Sequence, residues 1–150
     1  MKVIFPILVL CICYNSQTFG QSEEYLESKE KKIEQGSPFT RIIKRELPAT
    51  IVYEDNEMIA FVPLSEQAKV HLLIVPKKEI LTLNEAKPED ALLLGNMMLL
   101  AARLARENGI AESGYRLTVN INEDAGQSVF HIHMHLLGGN PLGPMVDRID

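Results

Sequence analysis

Apolar residues recur along this chain with two different spacings. Residues 49–54 and 58–62 are short runs rich in β-branched and aromatic side chains, separated by the polar pair Asp55-Asn56. That pattern predicts two strands joined as a hairpin. Residues 70–75 form a third apolar run closed by Pro76, again of strand length. The rhythm then changes. Leu93, Met97, Leu100 and Leu104 recur three or four residues apart, behind Pro88-Glu89-Asp90 and ahead of Gly109. Proline and acids suit the first turn of a helix and glycine its end, so one long helix is predicted there, its Leu/Met stripe facing a core. Ser37-Pro38-Phe39 supplies a cap and a first-turn proline for a short helix through Ile43. Residues 115–121 and 129–137 complete the set as two further strands. Five strands with no regular strand–helix–strand alternation predict an α+β class with an antiparallel sheet.

The first 36 residues follow neither spacing. Met1-Lys2 leads into an almost wholly apolar stretch from Val3 to Tyr14, and small Thr18 and Gly20 close the segment. A basic start, about a dozen apolar residues and a small-residue exit predict a secretory signal peptide over residues 1–20, with the mature chain exported to a periplasmic or extracellular space; a cytoplasmic protein with a buried N-terminal strand is the alternative. A membrane-spanning helix needs about 20 apolar residues, so no stable span is expected once the leader is gone. Both cysteines, Cys11 and Cys13, lie in this leader, so a processed chain has neither a disulfide nor a thiolate metal site. Residues 21–36 are charged and poor in apolar side chains, and read as a linker or a frayed helix ended by Gly36 and Pro38. One folded domain is expected over 37–150.

Composition narrows the function. A chain of 150 residues, 46% hydrophobic, has material for one core. Its net charge of -5, with the Lys-Lys and Lys-Arg pairs set among acids, provides no basic stripe for a nucleic-acid backbone.

The candidate chemistry is concentrated in Phe130-His131-Ile132-His133-Met134-His135-Leu136. The chain has four histidines, and three fall within these five residues. If the segment is a strand, side chains alternate, and His131, His133 and His135 share one face at about 7 Å spacing while Ile132 and Met134 share the other. His71, on the run 70–75, could join the row from a neighbouring strand. Three imidazoles in phase suit either a transition metal or nucleophilic catalysis, in which one ring attacks and its neighbours orient it and move protons. No cysteine or carboxylate cluster accompanies them to complete a metal site. Gly126-Gln127-Ser128 instead places flexible backbone, an amide and a hydroxyl immediately ahead, and Asn120 adds a neutral polar group at a strand end. Donors without acidic ligands favour a bound phosphoryl group over a metal.

The run His131-Ile132-His133-Met134-His135-Leu136-Leu137 resembles the signature of the histidine-triad superfamily. Gly126-Gln127-Ser128-Val129, Ile43-Lys44-Arg45-Glu46-Leu47-Pro48-Ala49, Val75-Pro76-Lys77-Lys78 and Gly114-Tyr115-Arg116 are similar to its Hint-like branch, and residues 138–145 to bacterial members. Together these cover about residues 37–145. The resemblance implies a homodimer whose two five-stranded sheets join, and metal-free, cofactor-free hydrolysis of purine nucleoside phosphoramidates through a nucleotidyl-histidine. Other triad activities, such as dinucleoside polyphosphate hydrolysis or nucleotidyl transfer, and a catalytically weak regulatory dimer are the alternatives. By motif position His133 is the nucleophile, His131 and His135 its neighbours and His71 the fourth histidine. Asn120, Gly126, Gln127, Ser128 and Val129 fall where the family holds phosphate and ribose, and Phe39, Phe61 and Leu64 where it encloses the base. Two positions depart. Val62-Pro63 stands where the family usually has His-Asp, removing the carboxylate expected on the ribose hydroxyls, and Glu79 stands where histidine is frequent.

Overall fold

The computed structural model describes residues 20–146. The leader expected over 1–20, with both cysteines, lies outside the described residues but for Gly20. Helix α1 (Glu23–Glu34) is followed by the short α2 (Pro38–Ile43), the hairpin strands β1 (Thr50–Glu54) and β2 (Met58–Val62), and β3 (Val70–Pro76). A 3-10 turn (Pro88–Asp90) leads into α3 (Ala91–Glu107), and β4 (Tyr115–Thr118) and β5 (Met134–Gly138) close the sheet. Every pairing is antiparallel, in the order β1-β2-β3-β5-β4. This is the predicted α+β architecture, with one helix more than expected.

Local chemistry explains most of these boundaries. The Ser37 hydroxyl accepts from the Phe39 N–H, capping α2 with Pro38 in its first turn. The Asp55 carboxylate accepts from the backbone N–H groups of Glu57 and Met58 and so shapes the β1–β2 turn. Beyond the end of α3, Gly109 adopts φ +68°, the left-handed conformation that glycine enters without a Cβ penalty. Residues 21–36 are more than a linker. Ser22 caps α1 through the Tyr25 N–H, acids occupy the first turn and lysines the last, and Tyr25, Ser28, Lys29 and Ile33 form a half-buried face at helical spacing.

The sheet separates core from chemistry. Met58 and Ala60, Leu72 and Ile74, and Met134 and Leu136 point to one face and pack against Met97, Leu100, Ala101, Leu104 and Ala105 of α3. The other face carries Ile59, Phe61, Leu73 and Val75, covered by Phe39 of α2. His71 shares that second face by strand alternation, as does His135, which pairs in register with Leu73. Among the described residues no helix is long and apolar enough to cross a membrane.

The prediction of one strand over 129–137 is corrected. β5 begins only at Met134, where pairing with Ile74 starts, so His131 and His133 lie on irregular backbone ahead of it. The Ile132 N–H bonds the Ile80 carbonyl instead of a partner strand, at 2.6 Å. Likewise β4 stops at Thr118, before the predicted end at residue 121.

Candidate active site

The four histidines assemble, though not as an evenly spaced row. The rings of His133 and His135 lie 5.1 Å apart, and those of His135 and His71 5.2 Å apart and stacked. Phe39 closes the other side, its ring 5.0 Å from His133 and 6.2 Å from His131.

Backbone groups fix the proton on each ring. His133 Nδ1 lies 2.8 Å from the His131 carbonyl oxygen. A carbonyl only accepts, so Nδ1 carries the proton and Nε2 keeps its lone pair. The Gln67 N–H donates to His71 Nδ1 at 3.1 Å, which places the neutral ring's proton on Nε2. That nitrogen is 2.9 Å from His135 Nδ1 and donates to it, so neutral His135 carries its proton on Nε2. His131 Nε2 donates to the Pro76 carbonyl at 2.7 Å, which anchors the residue whose own carbonyl orients His133. The Thr40 hydroxyl sits 3.3 Å from His131 Nδ1 and donates to the Glu79 carboxylate at 2.5 Å.

Burial favours the uncharged rings. His131 and His133 are buried and His135 half-buried, and desolvation pushes all three below the usual histidine value. His135, also repelled by positive charge on His133 or His71, is pushed down to about 4. Burial lowers His71 too, opposed by Glu66 and the Ser65 carbonyl. At neutral pH the cluster is thus a set of uncharged imidazoles with assigned donors and acceptors. Among the described residues no group of three or more His, Cys, Asp or Glu side chains is arranged to hold a metal.

The segment ahead of the triad is a compact turn. The Gly126 N–H donates to Glu123 and the Gln127 N–H to Asn122, and Gly126 takes φ +69° to make the bend. Ser128 is exposed and Asn120 half-buried beyond the end of β4. Gln127 behaves differently from the expectation that its amide contributes to a cradle. Its Nε2 donates to the carbonyls of Leu81 and Val129, and its Oε1 accepts from the Asn122 N–H. The amide is turned inward and holds the loop's shape. Val129 packs against the core cluster that contains Phe39. Phe61 is core, its ring 5.5 Å from Phe39, so Phe39 is the aromatic that stands between core and histidines. Leu64 is fully exposed after β2 and encloses nothing in this structure. Sequence reasoning missed Thr40, the Gln67 N–H and the Pro76 carbonyl. Two are backbone atoms, which residue identity does not reveal.

Comparison with known proteins identifies the family and the fold. The HIT domain family profile matches residues 44–142. A purine nucleoside phosphoramidase of Escherichia coli (strain K12) is 52% identical over 108 residues, 72% of this chain and 91% of that protein. Among solved structures, a HIT family hydrolase from Legionella pneumophila Philadelphia 1 is 46% identical with a TM-score of 0.69, covering 71% of this chain and 95% of its own. A HIT family hydrolase from Clostridium thermocellum, also 46% identical, superimposes with a TM-score of 0.71 over 75% of this chain and 97% of its own. With the family profile matching residues 44–142 and a relative 52% identical over 91% of its own length, the chain belongs to the HIT domain family.

Proposed function

We propose that this protein hydrolyses purine nucleoside phosphoramidates to the nucleoside monophosphate and an amine. The observation that carries this reading is the tautomer of His133: its Nδ1–H is held by the His131 carbonyl, leaving a lone pair on Nε2 beside the hydrogen-bonded His135–His71 pair. The similarity to a purine nucleoside phosphoramidase supports the substrate class.

The chemistry balances on these residues. An anionic phosphoryl group beside His135 favours its protonated form, so the His71–His135 pair takes up one proton as substrate binds. Nε2 of His133 attacks phosphorus, the P–N bond breaks, and the pair gives its proton to the departing amine. Water then attacks the nucleotidyl-histidine and passes a proton back to the pair. The P–Nε2 bond breaks, releasing the nucleoside monophosphate and restoring neutral His133. Asn120, Ser128 and the backbone N–H groups of Ser128 and Val129 hold phosphate oxygens, with Phe39 against the base. The test is turnover of an adenosine phosphoramidate in excess chelator. Full activity is expected; loss in chelator with recovery on adding zinc would overturn this reading in favour of a metal enzyme.

Nucleoside recognition is weakened by Pro63. Proline offers neither an acceptor side chain nor an N–H, whereas a carboxylate could accept from both ribose hydroxyls, an interaction worth about 1.5–3 kcal/mol. In a folded Pro63→Asp variant KM should fall by roughly tenfold with kcat nearly unchanged, because ribose contacts are equal in ground and transition states. An unchanged KM would mean that other groups already hold the ribose.

The working unit is a homodimer in this reading. β4 is an edge strand with one neighbour, and α3 exposes Leu92, Met98 and Leu99, an apolar face that a second copy would cover. Sedimentation at twice the chain mass is expected; a monomer would refute it. Residues 1–20 direct export, so the intact mass from native cells should begin near Gln21, and a cytosolic species retaining Met1 would contradict this.

A further inference from the structure

Helix α1 lies outside the matched HIT region, residues 44–142, yet it touches the loop ahead of the triad at three points. Ser22 donates to Glu123 twice, from its backbone N–H to one carboxylate oxygen and from its hydroxyl to the other, each at 2.5 Å. One turn further on, the Tyr25 hydroxyl donates to the Gln127 carbonyl at 3.4 Å, and its ring meets Phe130 edge-on at 6.0 Å. Lys29 completes the seat, its ammonium 5.5 Å from the Phe130 ring centre and 4.0 Å from the Glu85 carboxylate. Glu123, Gln127 and Phe130 span the segment that ends against His131.

We propose that α1 is a brace for the substrate loop, with Tyr25 and Glu123 as positioning residues that set substrate affinity. The proposal rests on the reading of residues 120–129 as the phosphate-holding segment. From inside, the loop is held by its own turn bonds, by the Gln127 amide and by Val129 packed on the second core cluster; α1 ties it from outside, on the stretch flanking Ser128. The coupling runs both ways. A charged twelve-residue helix with no fully buried side chain is marginal alone, so the contacts that order the loop also order the helix. Ionised Glu123 strengthens the tie, and the hydrogen bonds from Ser22 hold its carboxyl below the usual range. An ordered loop presents its donors without paying ordering entropy at each binding event, so the effect falls on KM rather than on the chemical step.

The experiment pairs hydrogen–deuterium exchange over residues 121–130 with steady-state kinetics on an adenosine phosphoramidate, using the full chain. Tyr25→Ala and Glu123→Ala should speed exchange there and raise KM by roughly three- to tenfold, the range that an aromatic pair contributes to an equilibrium, with kcat little changed. Tyr25→Phe, which keeps the ring on Phe130, should recover most of the KM. Glu30→Gln, on the exposed face of α1, should match the parent in both readouts. Unchanged exchange in Tyr25→Ala would overturn the brace. Ser128→Ala separates the brace from the reading beneath it. If Ser128→Ala raises KM while Tyr25→Ala speeds exchange without moving KM, α1 does not position substrate. If neither moves KM, the reading of the loop as the phosphate site has failed.

Discussion

His133→Ala should lower kcat/KM for an adenosine phosphoramidate by at least about 10⁴-fold, because it removes the atom that forms the covalent bond and leaves only binding and electrostatic help. Folding should survive at somewhat reduced stability: the substitution takes the donor from the His131 carbonyl but touches no strand pairing, which begins at Met134. The pH profile reports the same group. His133 attacks only with Nε2 unprotonated. Burial, with a further push from charge on His131, sets its pKa below the ordinary 6.5. A depressed pKa keeps the neutral form populated as pH falls, so the acid limb of kcat/KM should lie below pH 6.5. An acid limb at or above 6.5 would mean that the nucleophile is solvated or is another residue.

His135→Ala has the second-largest expected effect, on the order of 10²–10⁴ in kcat, the usual contribution of a positioned general acid. The loss should depend on the leaving group. An alkylamine must be protonated as the P–N bond breaks and should suffer the full loss. A mixed anhydride with a carboxylate leaving group needs no proton, so the variant should approach the parent enzyme on that substrate. A loss of equal size on both would assign His135 to positioning. His71→Ala should follow the same pattern with a smaller amplitude, because His71 acts through the 2.9 Å bond from its Nε2 to His135 Nδ1.

Local signals were legible in the sequence where local chemistry decides. The Ser37-Pro38 cap, the polar turn at Asp55-Asn56, strand β2 and the glycine that follows α3 all fall where composition and spacing placed them, because each depends on residues within one turn. The four histidines were legible as a group for a similar reason, since their types and close spacing are unusual. Their geometry was not. Alternation along a strand assumes a continuous ladder, and here the ladder starts at Met134 because the Ile132 N–H is taken by Ile80 and His131 Nε2 by Pro76. The His133 and His135 rings consequently lie about 5 Å apart, closer than the spacing of an extended row. Gln127 shows the same limit for polar residues: an amide's capacity to bind phosphate is visible in a sequence, but its direction is set by Leu81, Val129 and Asn122. Helix α1 was legible only as a linker or a frayed helix, and its seat on the domain was hidden by its own composition. Its charges mark a solvated segment, while the contacts that seat it, Ser22 on Glu123 and Tyr25 on Phe130, join residues about a hundred positions apart.

The covalent step is the central claim, and rapid quenching tests it most directly. Enzyme mixed with an adenosine phosphoramidate, stopped within the first turnover and digested, should yield the peptide carrying residues 131–135 with one added nucleoside monophosphate, localised by fragmentation to His133 and absent from His133→Ala. Turnover without a modified peptide, or a nucleotidyl group on His131 or His135 in its place, would contradict the assignment of His133 as the nucleophile.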